Sequence, residues 1–176
     1  CIRDRNGNVF LYYGEELGMK GSGKDENKRA PMYWSKDGNA EGMCKGPADM
    51  DDFRMKFDSL EEQQEDPDSI YNYVKQVIRV RNQNPVIARG TTAYLEQYSG
   101  EQCFALTRSY EGSNLLLLGN TSAEAVSVDL TGLTVGGTTA EELVLLGELY
   151  TGEETAERAG TVVTLPAYSI LILGEE

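Results

Sequence analysis

The apolar positions change period three times along this chain. Val9, Phe10, Leu11, Tyr12 and Tyr13 form an unbroken apolar run closed by Gly14. Such a run predicts a strand over residues 9–13 buried on both faces, as in a parallel sheet. Residues 18–65 then read as a long polar loop, with Gly18, Gly21, Gly23, Gly38, Gly42 and Gly46 supplying turns. A loop of this length with no structure of its own is usually functional. Next, Ile70, Tyr73, Val74, Val77 and Ile78 recur at helical spacing and predict a helix over 67–83 with one apolar face. Asp66 suits its cap and Pro67 its first turn, Lys75, Arg79 and Arg81 load its C-terminal end, and Asn84-Pro85 stops it. Strand, long loop and helix together make a β-loop-α unit.

From Gly90 onward the period is that of short strands. The pattern predicts them at 92–98, 103–110, 114–120, 125–129, 143–150, 161–165 and 169–173. Turns fall at Ser99-Gly100, Glu111-Gly112, Thr131-Gly132, Gly136-Gly137 and Ala159-Gly160. Many short strands at near-regular spacing imply an antiparallel sandwich or barrel. A domain boundary is therefore expected near Arg89–Gly90.

Charge supports that division. Of the 176 residues, 1–89 carry 14 basic and 16 acidic side chains, whereas 90–176 carry 2 basic and 13 acidic. The net charge of −13 argues against nucleic acid or an anionic membrane as partner, since both reward clustered Lys and Arg. No run of about 18 apolar residues is present to span a membrane. The chain has no His, which excludes Ser-His-Asp or Cys-His catalysis and His-ligated metal within it. Cys1, Cys44 and Cys103 are an odd count, against a closed disulfide framework, and Cys103 reads as a buried thiol in a strand. Cys1 at the start reads either as a lipid anchor or, more simply, as the edge of a cut-out fragment.

Candidate chemistry concentrates in the long loop. Trp34, the only Trp, stands beside Tyr33 and follows a charged stretch holding Asp25 and Arg29. Aromatic faces beside carboxylates and Arg grip sugars: rings pack on C–H faces while charged groups bond hydroxyls. The alternative is that Trp34 staples the loop to the body. Asp49, Asp51 and Asp52 lack EF-hand spacing and read as a solvated acidic run rather than a Ca²⁺ site. Glu15 and Glu16 end the first strand, where active-site loops of β/α barrels begin.

The stretch from Gly7 to Met19 resembles the last barrel strand of glycoside hydrolase family 13, the α-amylase family. Arg29-Ala30-Pro31-Met32-Tyr33-Trp34, with Asn39-Ala40 after it, is similar to the following loop in the bacterial α-amylase and oligo-glucosidase branches. The segments 66–70 and 79–85 resemble that family's last barrel helix. The β-rich tail is similar in kind to its domain C. One departure is the charged Cys1-Ile2-Arg3-Asp4-Arg5, where the family has an apolar helix and turn.

The resemblance implies an α+β fragment: the terminal β/α unit of a TIM barrel in 1–89, then an antiparallel Greek-key β-sandwich in 90–176. It implies a parent that cleaves α-glucosidic bonds of starch or maltooligosaccharides by the retaining route. The family's catalytic carboxylates lie upstream of the final strand, so the fragment itself is expected to be inactive, and Glu15 and Glu16 take no catalytic role. Calcium sites of the family also lie mostly upstream, and no cofactor is expected in this chain. By resemblance a loop Asp and an Arg four residues later contact sugar. Asp25 and Arg29 have that spacing, and Tyr33 and Trp34 are further candidates for the cleft wall. Expected partners are an α-glucan and the rest of the barrel, with dimerisation through the edges of the lone strand as an alternative. The resemblance favours an extracellular or cell-surface bacterial location for the parent, with the cytoplasm as the alternative. A carbohydrate-binding or purely structural β module is the competing reading for the whole chain.

Overall fold

A computed structural model describes residues 9–37 and 41–175. Cys1, the charged opening and Asn39-Ala40 lie outside the described residues. Contacts divide the chain into two compact units, Phe10–Lys75 and a second that contains Gln76–Glu176. The division falls inside a helix, so the second half of that helix belongs with the sheets rather than with the loop.

In the first unit, residues 9–13 form no strand, unlike the sequence expectation. A strand exists only where its backbone finds a neighbouring strand, and among the described residues this run pairs with no strand. Phe10 is 89% exposed. The long loop also contains regular structure. Two 3₁₀ turns, Glu15–Leu17 and Asp25–Arg29, lie within or just ahead of it, and helix α1 spans Leu60–Glu65. Ser59 opens α1: the Ser59 N–H and hydroxyl both donate to the Glu62 carboxylate, at 3.1 and 2.9 Å. Ser59-x-x-Glu62 is a capping-box sequence and was a readable signal. Buried Gln63 ties this unit together. Its side-chain amide donates to the carbonyls of Leu17 (3.0 Å) and Asp58 (2.7 Å) and its Oε1 accepts from Tyr71 N–H (3.0 Å).

Helix α2 spans Ile70–Gln83. Its N-terminal cap is Ser69, whose hydroxyl accepts from Asn72 N–H at 3.2 Å, not Asp66. Asp66 and Pro67 instead form the turn ahead of it, where the Asp66 carboxylate accepts from Asp68 N–H. Val74 and Val80 are buried and Ile70, Tyr73 and Val77 half-buried, whereas Ile78 is 43% exposed, so the covered stripe runs 70-73-74-77-80 and bypasses Ile78. Asn84 ends α2, and Pro85 at the first helical position starts a short helix, α3 (Pro85–Arg89).

The second unit is antiparallel. Strands β1 (Thr91–Tyr94), β2 (Cys103–Tyr110), β3 (Ser113–Asn120), β4 (Val126–Asp129), β5 (Thr134–Val135), β6 (Thr138–Thr139), β7 (Val144–Leu149), β8 (Glu157–Ala159), β9 (Val162–Leu165) and β10 (Ile170–Gly174) follow in order. They make a five-stranded sheet β1-β2-β3-β10-β7, a three-stranded sheet β4-β9-β8 and a β5-β6 ribbon. The expected strand 92–98 stops at Tyr94, because Glu96–Tyr98 turns as a 3₁₀ helix that buries the Tyr98 ring. Strands β5, β6 and β8 are too short to leave a period in the sequence. Leu116, Leu118, Leu171 and Leu173 of the larger sheet share one buried cluster with Val128, Val163 and Leu165 of the smaller. Leu115 and Leu117 point to the opposite face, and α3 packs against β2 and β3. That is why the run of four leucines is buried throughout. Each fully buried Leu contributes about 2 kcal/mol of transfer free energy.

The acid response of the first unit follows from Glu62. The Ser59 backbone N–H, the Ser59 hydroxyl and Lys36 hold its carboxyl below the usual carboxylate range. A depressed folded-state pKa adds stability above the unfolded-state value, and that stability is lost as pH falls through the folded value. Glu62→Gln is therefore expected to lower the melting temperature at neutral pH and to match the parent chain in strong acid. Thermal scans at pH 7 and about pH 2.5 check this; an equal deficit at both would sink it.

Candidate functional site

The site is built on two tight turns. Gly14 sits at φ 87° with its carbonyl accepting from Leu17 N–H (3.1 Å) and Met19 N–H (2.9 Å). That positive φ is what favours glycine here, and a Cβ would in addition press on the Met19 side chain, 2.6 Å from its Sδ. This turn places Tyr12 and Tyr13 side by side, ring centroids 4.8 Å apart. The Glu15 carboxylate accepts from Tyr12 N–H at 3.3 Å. The Tyr13 hydroxyl reaches across and donates to the Ala30 carbonyl at 3.0 Å, which fixes the end of the second turn, Asp25–Arg29.

On that second turn the Arg29 guanidinium lies 3.1 Å from the Asp25 carboxylate and 3.7 Å from Glu26. The Arg29 and Asp25 side chains are 54% and 73% exposed. An exposed pair of this kind contributes little to stability, so its donors and acceptors are available to a ligand. Between the turns lies a hollow of about 440 Å³ lined by Tyr12, Tyr13, Glu15, Lys20, Asp25 and Arg29, among others. Its chemistry is that of a hydroxyl-binding surface: a guanidinium fork, carboxylates and two aromatic rings.

Of the four residues read from the sequence, Asp25 and Arg29 come together here, while Tyr33 and Trp34 do not join them. The carbonyls of Tyr33 and Trp34 accept from the N–H groups of Leu60 (2.9 Å) and Glu61 (3.1 Å), the first turn of α1. Their backbone thus receives donors that a helix start leaves free. The Tyr33 ring lines a separate hollow of about 610 Å³ with Met50, Phe53 and Phe57. Trp34 is 45% exposed and lines neither hollow.

Sequence reasoning missed Tyr12 and Tyr13, taken there for strand core, and missed Asn27, the only uncharged side chain in the stretch from Lys24 to Arg29. Asp51 is also more than a solvated acid. Hydrogen bonds from Asn27 and Lys24 hold its carboxyl below the ordinary Asp range. Among the described residues no group of three or more His, Cys, Asp or Glu side chains could hold a metal. Glu16 leaves Oε2 buried without a partner. Among the described residues no helix is long and apolar enough to cross a membrane.

The family model "Alpha amylase, catalytic domain" matches residues 2–90, half of the chain, which include both turns. Over 98% of this chain the fold superposes on the solved structure titled "Eubacterium rectale Amy13B", at TM-score 0.89 and 41% identity, covering 32% of that protein. Alpha-amylase 3 of Dictyoglomus thermophilum is 32% identical over 81 residues, 46% of this chain and 16% of that protein. The oligo-1,6-glucosidase of Bacillus sp. strain F5 is 30% identical over 149 residues, 63% of this chain and 29% of its own. The chain thus spans less than a third of each relative. With its catalytic-domain match reaching across the Tyr-Tyr-Gly turn, the Arg29 turn and all three helices that follow, this chain belongs to the α-amylase family, glycoside hydrolase family 13.

Proposed function

We propose that this chain is the C-terminal part of a retaining α-glucan hydrolase acting on starch or maltooligosaccharides. Residues 1–89 are the end of the (β/α)8 barrel and residues 90–176 its Greek-key β-sandwich, domain C. The observation that carries this reading is the exposed Asp25–Arg29 pair on a hollow walled by Tyr12 and Tyr13. Arg29 donates in a fork to adjacent sugar hydroxyls, Asp25 accepts from another, and the rings offer a face to the pyranose C–H groups. Cleavage by the retaining route needs a nucleophile and an acid/base carboxylate flanking the bond. By family resemblance those groups have no counterpart here, so residues 1–176 bind sugar without cleaving it. Exposed Phe10, Leu11 and Tyr12 are the apolar surface assigned to the rest of the barrel, with self-association through this segment as the alternative when the barrel is absent.

Two measurements test this. Residues 1–176 are expected to release no nitrophenol from a nitrophenyl maltoside; turnover above background would refute the inactive fragment. Calorimetric titration with maltoheptaose is expected to show saturable binding, with Arg29→Ala weakening it at least about tenfold through loss of a charge-assisted fork. Unchanged affinity in that variant would remove the hollow as the sugar site.

The second reading, a non-catalytic sugar-binding β module, is favoured by one observation. Tyr168 is 51% exposed and sits at φ 48°, strained for a non-glycine residue, with its N–H donating to Ser122 O at 3.1 Å. Affinity lost in Tyr168→Ala but kept in Arg29→Ala would move the binding surface to the sheets.

A further inference from the structure

We propose that Asn27 is a positioning residue, whose amide clamp on Asp51 holds the Asp25–Arg29 turn in the shape that presents both side chains to a glucose unit. The proposal rests on the sugar-binding reading of the hollow. Asn27 is 4% exposed, although its neighbours on the turn are exposed or half-buried. Every polar atom of its side chain is engaged: Nδ2 donates to Ser22 O (2.8 Å) and to Asp51 Oδ2 (2.8 Å), and Oδ1 accepts from Asp51 N–H (2.9 Å). The other carboxylate oxygen of Asp51 takes Lys24 Nζ at 2.8 Å. One carboxylate is therefore gripped by two residues of the same short segment, and the residue 24 positions downstream is locked to it in register.

The clamp grips the turn midway along the chain between the two members of the pair. Asp25 precedes Asn27 by two residues and Arg29 follows by two, so the middle of the turn is fixed while both ligand-facing ends stay in solvent. The backbone closes the same way: Asn27 N–H donates to Lys24 O at 3.2 Å, and a Cβ on Gly21 would lie 3.1 Å from Asn27 O. A 3₁₀ turn has poor hydrogen-bond geometry of its own. The Tyr13 hydroxyl holds the end of the turn and the Arg29–Asp25 ion pair links its two ligand-facing side chains, while the clamp fixes its middle to the Asp51 segment. Positioning of this kind acts on affinity through orientation rather than contact.

The test is calorimetric titration of the 176-residue chain with maltoheptaose. Asn27→Ala is expected to bind about tenfold more weakly at pH 7 and at about pH 4 alike, since small misplacements of a binding group cost one to two decades. Asn27→Asp keeps the shape but sets two carboxylates against each other, with Lys24 beside Asp51. It is expected to bind weakly at pH 7 and to recover most of the affinity at about pH 4, where the pair shares a proton. Asp51→Asn keeps an acceptor for Asn27 and is expected to stay within about threefold of the parent chain. If Asn27→Ala does not fold, the two pH arms of Asn27→Asp carry the test. Parent-like affinity of Asn27→Asp at pH 7, or of Asn27→Ala at either pH, overturns the clamp. When Arg29→Ala has lost affinity in the same assay, that result leaves the sugar-binding reading standing. A parent chain that does not bind overturns both.

Discussion

Arg108→Met is expected to lower the unfolding free energy of the sheet-containing unit by about 3 kcal/mol, because it leaves the buried Ile87 carbonyl without its charged donor and removes two further hydrogen bonds. Arg108 lies on β2 and is fully buried. Its Nη2 donates to Ile87 O at 2.5 Å, its Nε to Val86 O at 3.4 Å and its Nη1 to Thr92 Oγ1 at 2.6 Å. One guanidinium thus reaches both α3 and β1. Of the two α3 carbonyls it serves, Val86 O also accepts from Gly90 N–H at 2.9 Å, so the Ile87 carbonyl is the one that depends on the guanidinium. Met fills much of the same space, so the loss is that of hydrogen bonds and charge rather than of packing. Denaturant unfolding followed by far-UV circular dichroism measures it. A shift below about 0.5 kcal/mol would show that water or rearrangement replaces the guanidinium at little cost.

This residue also shows where sequence reading stopped. Strand β2 was legible because Cys103–Tyr110 is bounded by Gly100 and by Glu111-Gly112, whose positive φ angles (49° and 87°) make the hairpin turn. Nothing in that strand's pattern said that its Arg was buried, since burial depends on a helix that leaves no helical period in five residues. Helix α2 was legible from its period but not its rotation, because Ile78 fits the stripe equally well until packing chooses Val80. In the candidate site, Asp25 and Arg29 were found by spacing, a local property. Tyr12 and Tyr13 were misread as strand core, because an apolar run describes a barrel interior and an aromatic wall equally well. The Asn27–Asp51 clamp joins residues 24 apart through side chains of ordinary polarity, and no single-sequence pattern marks such a pair. The separation of Tyr33 and Trp34 from the hollow has the same origin: what they serve is the start of α1, which composition alone hid inside a polar loop.

The other large effect is expected at Asn120, the last residue of β3. Asn120→Leu should destabilise the sheet-containing unit by about 3 kcal/mol, by leaving several buried backbone groups without partners. The side chain is 3% exposed. Its Nδ2 donates to the carbonyls of Glu124 (2.7 Å), Pro166 (2.9 Å) and Leu165 (3.2 Å), and its Oδ1 accepts from Ser122 N–H and Oγ, both at 2.9 Å. It therefore joins the loop after β3 to the end of β9 in the smaller sheet. The same hub fixes the segment that carries Tyr168 at its positive φ, since Ser169 Oγ donates to Pro166 O at 2.7 Å and Tyr168 N–H to Ser122 O. Leu has nearly the shape of Asn but can pair with none of these groups, so the cost is purely polar. The consequence reaches beyond stability. Once the hub is broken, Tyr168 is free to leave the left-handed region and its amide should lose hydrogen-exchange protection before the leucines of β3 do. Uniform loss of protection across β3, β9 and residues 166–169 would mean that Asn120 supports the sheets as a whole and not the loop pair, and an unfolding midpoint equal to the parent's would remove the hub altogether.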